Sequence, residues 1–164
     1  MGELCRLSAG VATRGKRLHK LKEKRMTIDY KSDATISVEQ AIDLYNRSTL
    51  GERRPVDRPD IFEGMLKHAN LTITAWHGER LVGIARTLTD FTYVAYLADL
   101  AVDAAMQKSG IGRRLIEETR MRLGRDCMIV LLAAPKANDY YPKVGFEHNP
   151  RAWVLPGGAK LGTT

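Results

Sequence analysis

The residues with the clearest potential for chemistry form a glycine-rich turn at positions 107–112, between a strand-like and a helix-like stretch. Glycine at positions 110 and 112 permits a tight turn and lets a ligand approach the backbone closely. The helix that follows would direct its free N–H groups and the positive end of its dipole at the same turn. The pattern predicts a pyrophosphate-binding turn, and Lys108, Arg113 and Arg114 add positive charge beside it.

Other glycine-containing phosphate motifs can be compared with this turn directly. A Walker loop requires Lys and then Ser or Thr after its last glycine, whereas Gly112 is followed by two arginines. The dinucleotide-binding fingerprint requires a third glycine where this sequence has Leu115. The Walker loop is therefore excluded, and the dinucleotide-binding fingerprint is disfavoured. On its own the turn also fits a helix cap that binds no ligand.

Two further segments accompany the turn in a fixed order. Residues 97–102 read Leu-Ala-Asp-Leu-Ala-Val, and residues 140–146 read Tyr-Tyr-Pro-Lys-Val-Gly-Phe. Together with the Gln-x-x-Gly-x-Gly pattern of residues 107–112, they resemble the cofactor strand, the signature loop and the Tyr-x-Lys-x-Gly-Phe ending of the GNAT N-acetyltransferase superfamily. The resemblance covers about residues 27–153.

The resemblance implies an α/β fold with a mixed, mostly antiparallel twisted sheet and helices on both faces. It implies a V-shaped splay between two central strands, residues 93–102 and 127–133, that holds acetyl-CoA as the acyl donor. The pantetheine arm would pair with a strand edge, and no metal is implied. The residues expected to bind acetyl-CoA are Leu100, Ala101, Val102, Gln107, Lys108, Ser109, Gly110, Ile111, Gly112, Arg113 and Asn138.

One position departs from the family pattern. Many relatives carry Asn seven residues before the motif tyrosine, where this sequence has Ala134 followed by Pro135. An alanine cannot supply a side-chain hydrogen bond to the cofactor. Asn138 is the residue we expect to replace it.

The resemblance assigns direct acetyl transfer from thioester to amine, with Tyr141 protonating the departing CoA thiolate. A phenol is neutral at working pH and can donate one proton, although Tyr141 could instead only pack with its aromatic neighbours. Asp99 and Glu63 are the candidate general bases for the attacking amine. Asp99 could alternatively hold a strand bulge, Glu63 could be a solvated helix residue, and water could accept the proton.

Acceptor specificity is expected from a loop, a helix and a hairpin that contribute Arg53, Arg54 and Trp76. Two adjacent arginines could recognise an acidic acceptor, or they could be solvated loop charges. The Tyr-Tyr-Pro-Lys-x-Gly-Phe ending also occurs in relatives that acetylate arylalkylamines, which favours a small amine.

The elements that must position these residues follow from apolar periodicity and turn chemistry. Ser37 and Gln40 form a capping box for a first helix, and a second helix is expected to turn Ile61, Met65 and Leu66 inward. Strands are expected over residues 27–32, 71–76, 81–88, 93–102 and 127–133, with a last strand through Trp153. Helices are expected over residues 110–123 and 138–143.

The net charge of +7 is concentrated at one end of the chain. Residues 1–25 contain eight basic and two acidic residues, so the remaining chain is almost neutral. We therefore expect a basic N-terminal extension (1–25), one acetyltransferase domain (26–156) and a short tail (157–164). Because the domain itself is almost neutral, we do not expect it to bind nucleic acid. The extension could be an upstream start without function, a targeting peptide or an electrostatic arm.

Several classes of protein are excluded by composition. No apolar run approaches the roughly 20 residues that cross a bilayer. Cys5 and Cys127 lie far apart in the sequence, which disfavours a disulfide scaffold and suits a reducing, cytoplasmic setting. The four histidines do not have the spacing of metal ligands, which disfavours a zinc site. We expect an N-acetyltransferase that acts on a small amine, and the protein could form a homodimer. The alternatives are a protein N-terminal or lysine acetyltransferase and a non-catalytic acetyl-CoA-binding regulatory module.

Overall fold

The core of the described chain is a five-stranded sheet in which the strands lie side by side in chain order. The computed structural model describes residues 27–32 and 34–162. The strands are β1 (Asp29–Lys31), β2 (Leu71–His77), β3 (Arg80–Thr89), β4 (Val94–Val102) and β5 (Met128–Val130), and the α-helices are α1 (Val38–Arg47), α2 (Pro59–Lys67) and α3 (Ile111–Arg120). The first four strands are antiparallel neighbours, and β5 runs parallel to β4.

The helices cover both faces of this sheet. Residues of α3, including Leu115, pack with Ile73, Val82 and Leu97 in one apolar cluster. Residues of α1 and α2 pack on alternate strand positions such as Ile84 in a second cluster. Successive strand side chains point to opposite faces, so the two clusters lie on opposite sides of the sheet. The predicted mixed sheet with helices on both faces is confirmed.

Local sequence signals explain where α1 begins and which side it buries. The Ser37 hydroxyl accepts a hydrogen bond from the Gln40 N–H at 3.1 Å, and the Gln40 side chain accepts one from the Ser37 N–H at 3.0 Å. This is the predicted capping box. Ala41, Leu44 and Tyr45 recur at helical spacing and are fully buried against the sheet.

A bulge in β4 reverses the alternation by which successive residues of this strand face the two clusters. Arg86 of β3 pairs with Asp99, but Thr87 pairs with Leu97, so Ala98 is an extra residue. Leu97 therefore packs in the α3 cluster, whereas Ala101 packs in the cluster under α1. A bulge also bends its strand and increases the local twist.

The bulge lies where β4 and β5 separate. Their parallel pairing covers only Val94–Tyr96 of β4 and Met128–Val130 of β5, yet β4 continues to Val102. The second half of β4 thus has β3 on one side and no strand on the other among the described residues. This gap is the V-shaped splay that the resemblance implied.

The segment after α3 differs from expectation in three ways. The predicted strand 127–133 forms only three residues of β5, and Met128 is half exposed because β5 is the last strand of the described sheet. The predicted helix 138–143 is instead the 3₁₀ turn Tyr141–Val144, preceded by another 3₁₀ turn at Pro135–Ala137, since Pro142 cannot donate a helical hydrogen bond. The predicted last strand is absent from residues 147–162, where Trp153 is 96% exposed.

The second helix, α2, differs from the prediction in which of its residues faces the core. Phe62, not Ile61, is the fully buried residue of α2, and Ile61 is 43% exposed. Met65 and Leu66 pack against the core as predicted. Phe62, Met65 and Leu66 stand at positions i, i+3 and i+4 on one face of the helix, and Ile61, one position before Phe62, is turned about 100° away from it.

No helix in the described part of the chain is long and apolar enough to cross a membrane. The predicted N-terminal extension, residues 1–25, lies outside the described residues.

Candidate functional site

The glycine turn presents a row of unpaired backbone donors. The N–H groups of residues 108–113 have no hydrogen-bond acceptor within the described residues. The turn reaches this shape because Lys108 and Gly110 have left-handed backbones, with φ of 61° and 89°. Successive N–H groups that converge in this way form an anion-binding concavity at the start of α3. The geometry suits a pyrophosphate.

Glycine is favoured at the two positions of the turn for different structural reasons. At Gly110 an added Cβ would meet nothing within 4 Å, so its left-handed φ is what favours glycine. At Gly112 an added Cβ would lie 3.0 Å from the Tyr140 hydroxyl oxygen. Tyr140 packs against the α3 cluster, and its buried hydroxyl has no partner among the described residues. Gly112 therefore makes room for a tyrosine of this chain.

The charged and polar side chains around the turn have separate roles. The Gln107 amide donates to the Val102 carbonyl at 3.2 Å and so ties the turn to the end of β4. Arg113 pairs with Glu117 at 2.9 Å, and Arg114 pairs with Glu118 at 2.6 Å, both along α3. These carboxylates offset the predicted positive charge next to the turn.

A cleft of about 600 Å³ occupies the splay beside the second half of β4. Its walls come from β4, from the 3₁₀ turn that follows α1 (Leu50–Arg53), from residues 132–137 and from Tyr141. Leu100, Ala101, Val102 and Gln107 all line it. Among the described strands none pairs with this edge of β4, so an extended ligand could pair with its backbone as an added strand would.

Tyr141 lines the same cleft and is held by aromatic packing. Its ring makes edge contacts with Tyr140 and Phe146, with ring centroids 5.4 Å and 5.5 Å away. Burial raises the pKa of the Tyr141 phenol, and Tyr140 adds a smaller effect in the same direction. The phenol therefore keeps its proton at neutral pH, which is the state that a general acid needs.

Asp99 is fully buried next to the bulge, with both carboxylate oxygens engaged. One oxygen accepts from Arg54 Nε at 2.5 Å. The other accepts from Arg86 Nε at 2.5 Å and from the Tyr45 hydroxyl at 2.9 Å. Burial, with the neighbouring Asp99 charge, raises the pKa of Tyr45, so this hydroxyl remains a donor. The arrangement joins α1, the following loop and two strands.

The two adjacent arginines of the loop are in different situations. Arg54 donates to Asp99 and to the Ala98 carbonyl of the bulge, so its guanidinium is committed within the fold. Arg53 is exposed, lines the cleft and has no side-chain hydrogen bond or ion pair within the described residues.

Three predicted site residues lie away from both the cleft and the glycine turn. Glu63 is exposed on α2 and does not line it. Trp76 is 8% exposed, packs in the cluster under α1 and donates from its indole N–H to Thr74 at 2.8 Å. Asn138 lines the neighbouring groove between β5 and residues 144–155, whereas Ala134 and Pro135 line the cleft itself.

Sequence reasoning missed Tyr45 and Arg86, the partners of Asp99. The available signals were an arginine inside the apolar run of β3 and a tyrosine on the apolar face of α1. A buried charge requires a partner, so Arg86 predicted that an acidic residue lay nearby without identifying it. In the described residues, no group of three or more His, Cys, Asp or Glu side chains could hold a metal ion.

Comparison with known proteins agrees with this geometry. A family model described as "Acetyltransferase (GNAT) domain" matches residues 50–152. Histone acetyltransferase TAP1 from Glycine max is 38% identical over 74 residues, which are 44% of this chain and 32% of the relative. The uncharacterized N-acetyltransferase ycf52 from Porphyra purpurea is 27% identical over 129 residues, 72% of each. The chain thus spans about a third of the first of these relatives.

Solved structures share the fold. A Staphylococcus aureus protein of unknown function, SA2161, titled a probable acetyltransferase, superimposes with a TM-score of 0.66 at 21% identity, covering 79% of this chain and 98% of that one.

Proposed function

Because this chain belongs to the GNAT acetyltransferase family, we propose that it transfers an acetyl group from acetyl-CoA to a small primary amine. The row of unpaired N–H groups at residues 108–113, at the end of an unpaired strand edge, is the observation that carries the proposal. It combines an anion site with a strand-like binding edge, which are the two features that a pyrophosphate joined to a pantetheine arm requires.

The chain's residues bind and orient the donor in this proposal. The N–H groups from Lys108 to Arg113 bind the pyrophosphate, and Gln107 holds that turn at the end of β4. The edge from Leu100 to Val102 pairs with the pantetheine amides. An N–H of Leu100 or Val102 donates to the thioester carbonyl oxygen, which gains negative charge as the amine attacks.

Tyr141 supplies the proton for the leaving group. The amine nitrogen forms the new C–N bond as the C–S bond breaks, and the sulfur leaves with the bonding electrons. Tyr141 donates its phenolic proton to that sulfur and is reprotonated from solvent, while the amine nitrogen loses one proton. The phenol suits this role because its raised pKa keeps it protonated.

Water is the proposed acceptor of the amine's proton. Asp99 is the one carboxylate that lines the cleft in the described chain, and its two oxygens already accept from Arg54, Arg86 and Tyr45. Glu63 is outside the cleft. We therefore propose that Asp99 positions the bulge and that the amine enters neutral or loses its proton to solvent.

Calorimetric titration with acetyl-CoA tests the donor site. A Gly110→Glu variant places bulk and negative charge in the anion concavity, and we expect it to weaken binding at least a hundredfold. Gly78→Glu is the matched control, because Gly78 also has a positive φ of 61° with open space around it but lies in the β2–β3 turn. Absence of binding by the parent, or equal binding by both variants, would contradict the proposal.

A protein N-terminus or lysine is the second candidate acceptor. It is favoured by the similarity to a relative described as a histone acetyltransferase, although that match covers less than half of this chain. Measuring CoA release with small amines and with lysine-containing peptides separates the two acceptor classes. Acetyl-CoA binding without release to either would favour the regulatory module.

We also propose a cytoplasmic location. The free, buried thiol of Cys127 is consistent with a reducing compartment. Fractionation of cells that express the full chain tests this.

A further inference from the structure

Arg53 is a cationic residue that lines the cleft and has no side-chain hydrogen bond or ion pair within the described residues. It ends the 3₁₀ turn Leu50–Arg53, whose position is fixed by the burial of Leu50 and by the Ser48 hydroxyl, which accepts from the Leu50 N–H at 3.3 Å. Thr49 begins this turn with φ of 69°, an uncommon backbone conformation for a β-branched residue. The turn is thus an ordered support, and Arg53 is its exposed end.

The side chains that line the cleft carry more positive than negative charge. Four cationic residues and one carboxylate line it in the described chain: Arg53, Arg54, Arg86, Lys136 and Asp99. Asp99 is already shared by Arg54 and Arg86. No anionic group of the described cleft remains for Arg53.

The position of Arg53 separates it from the donor phosphates. The adjacent Arg54 is anchored to Ala98 and Asp99 at the bulge, whereas the anion-binding turn begins beyond Val102. At about 3.3 Å per strand residue, the bulge and the end of β4 are about 10 Å or more apart. Arg53 therefore belongs to the acceptor end of the cleft.

We propose that the acceptor is an amine that carries an anionic group, a carboxylate or a phosphate, and that Arg53 pairs with this group. The inference rests on the proposed acetyl transfer and adds the substrate class. Arg53 would act on acceptor binding, since a charge that pairs equally in the ground state and in the transition state changes KM and leaves kcat unchanged.

Matched pairs of amines test this class. Phenylalanine against phenethylamine and ornithine against putrescine differ by a carboxylate, and phosphoethanolamine against ethanolamine differs by a phosphate. Each is titrated calorimetrically into the full chain, alone and with saturating CoA, and each is assayed for CoA release with acetyl-CoA. We expect the anionic member of at least one pair to bind about tenfold more tightly, as a charged hydrogen bond provides.

Arg53→Gln should remove this preference. Its effect should fall on the KM or Kd of the anionic amine, with kcat, the neutral partner and the Kd of acetyl-CoA unchanged. Arg53→Lys should keep part of the preference. Arg58→Gln is the matched control, because Arg58 is an exposed arginine that pairs with Asp60 outside the cleft; it should change nothing.

Three results overturn the proposal: no preference for an anionic member in any pair, a preference that survives Arg53→Gln, or an equal loss in Arg58→Gln. Failure of the acetyltransferase proposal itself is a different result, namely no binding of acetyl-CoA. In that case the titrations without CoA still decide whether Arg53 selects anionic amines.

Discussion

The glycine turn and the Asp99 cluster, which consists of Asp99 and its partners Tyr45, Arg54 and Arg86, lie at opposite ends of the second half of β4. The polar groups of the turn lack hydrogen-bond partners in the described chain, whereas those of Asp99 have them. In the turn, the N–H groups of residues 108–113 have no hydrogen-bond acceptor in the described chain. In the cluster, the oxygens of Asp99 are buried and fully engaged by two arginines and a tyrosine. Unpaired exposed donors are available to a ligand, whereas a satisfied buried charge stabilises and positions.

This contrast decides which groups of the cleft are available for chemistry. Tyr141 and Arg53 line the cleft with no partner for their polar side-chain atoms among the described residues, while Arg54, adjacent in sequence to Arg53, is committed to the bulge. Burial alone would have suggested Asp99 as the functional carboxylate. Its complete set of partners indicates a structural role.

Replacing Asp99 should produce the largest effect of these substitutions, a loss in the free energy of unfolding. Asp99→Asn removes the charge that neutralises the buried Arg86, and breaking a buried pair in this way costs about 3–5 kcal/mol in the free energy of unfolding. Denaturant unfolding measures the loss. Asp60→Asn is the control, because its exposed pair with Arg58 should contribute about 0–1 kcal/mol.

The same variant tests whether Asp99 is the general base. If Asp99→Asn unfolds with the parent's stability but loses kcat, the structural assignment is wrong and the carboxylate acts in catalysis. If it retains activity at a temperature where it is folded, the contrast between the two regions holds.

Replacing Tyr141 should affect turnover and leave binding intact. Tyr141→Phe keeps the ring contacts but removes the proton donor, and we expect kcat to fall about a hundredfold, at the lower limit of general acid catalysis. Steady-state kinetics of CoA release and calorimetry of acetyl-CoA binding measure the two effects. Tyr93→Phe, at an exposed tyrosine outside the cleft, is the control.

The pH profile of the parent provides an independent check on Tyr141. Because burial raises the pKa of this phenol, its acid form is present throughout the neutral range and is lost only at pH values above the ordinary tyrosine pKa of 10.0. Activity should therefore rise with pH as the amine deprotonates and should not fall again below about pH 10. A falling limb near pH 8 would assign the acid to another group.

The smallest effect is expected where the turn meets the core. Gly112→Ala places a Cβ 3.0 Å from the Tyr140 hydroxyl oxygen, so the buried Tyr140 side chain must shift, and we expect a net loss at or below the lower end of the ~1–3 kcal/mol of core crowding, because alanine also gains up to about 1 kcal/mol over glycine within α3. Tyr140→Phe removes that oxygen, so the double variant should recover part of the loss. A double-mutant cycle on thermal unfolding measures the coupling, and strictly additive effects would show that Tyr140 is not the reason for glycine here.

Elements with local signals were predictable from sequence. The capping box of α1, the hairpin of β2 and β3, and the left-handed Gly110 before α3 all depend on residues close together in the chain. The segment after Cys127 was predicted less well. Its apolar run indicated a buried strand, but a strand forms only as far as a neighbour pairs with it, and β4 pairs with just three residues of β5.

The sequence by itself determined the fold class, the family and the position of the glycine turn, because these follow from local spacing and short motifs. Tertiary structure decided which partners Asp99, Arg53 and Arg54 have. Asp99 meets Tyr45, 54 residues away in sequence, and Arg54, 45 residues away. Whether a charge is available for chemistry depends on which partners the fold brings within hydrogen-bond distance, and no local pattern encodes those long-range contacts.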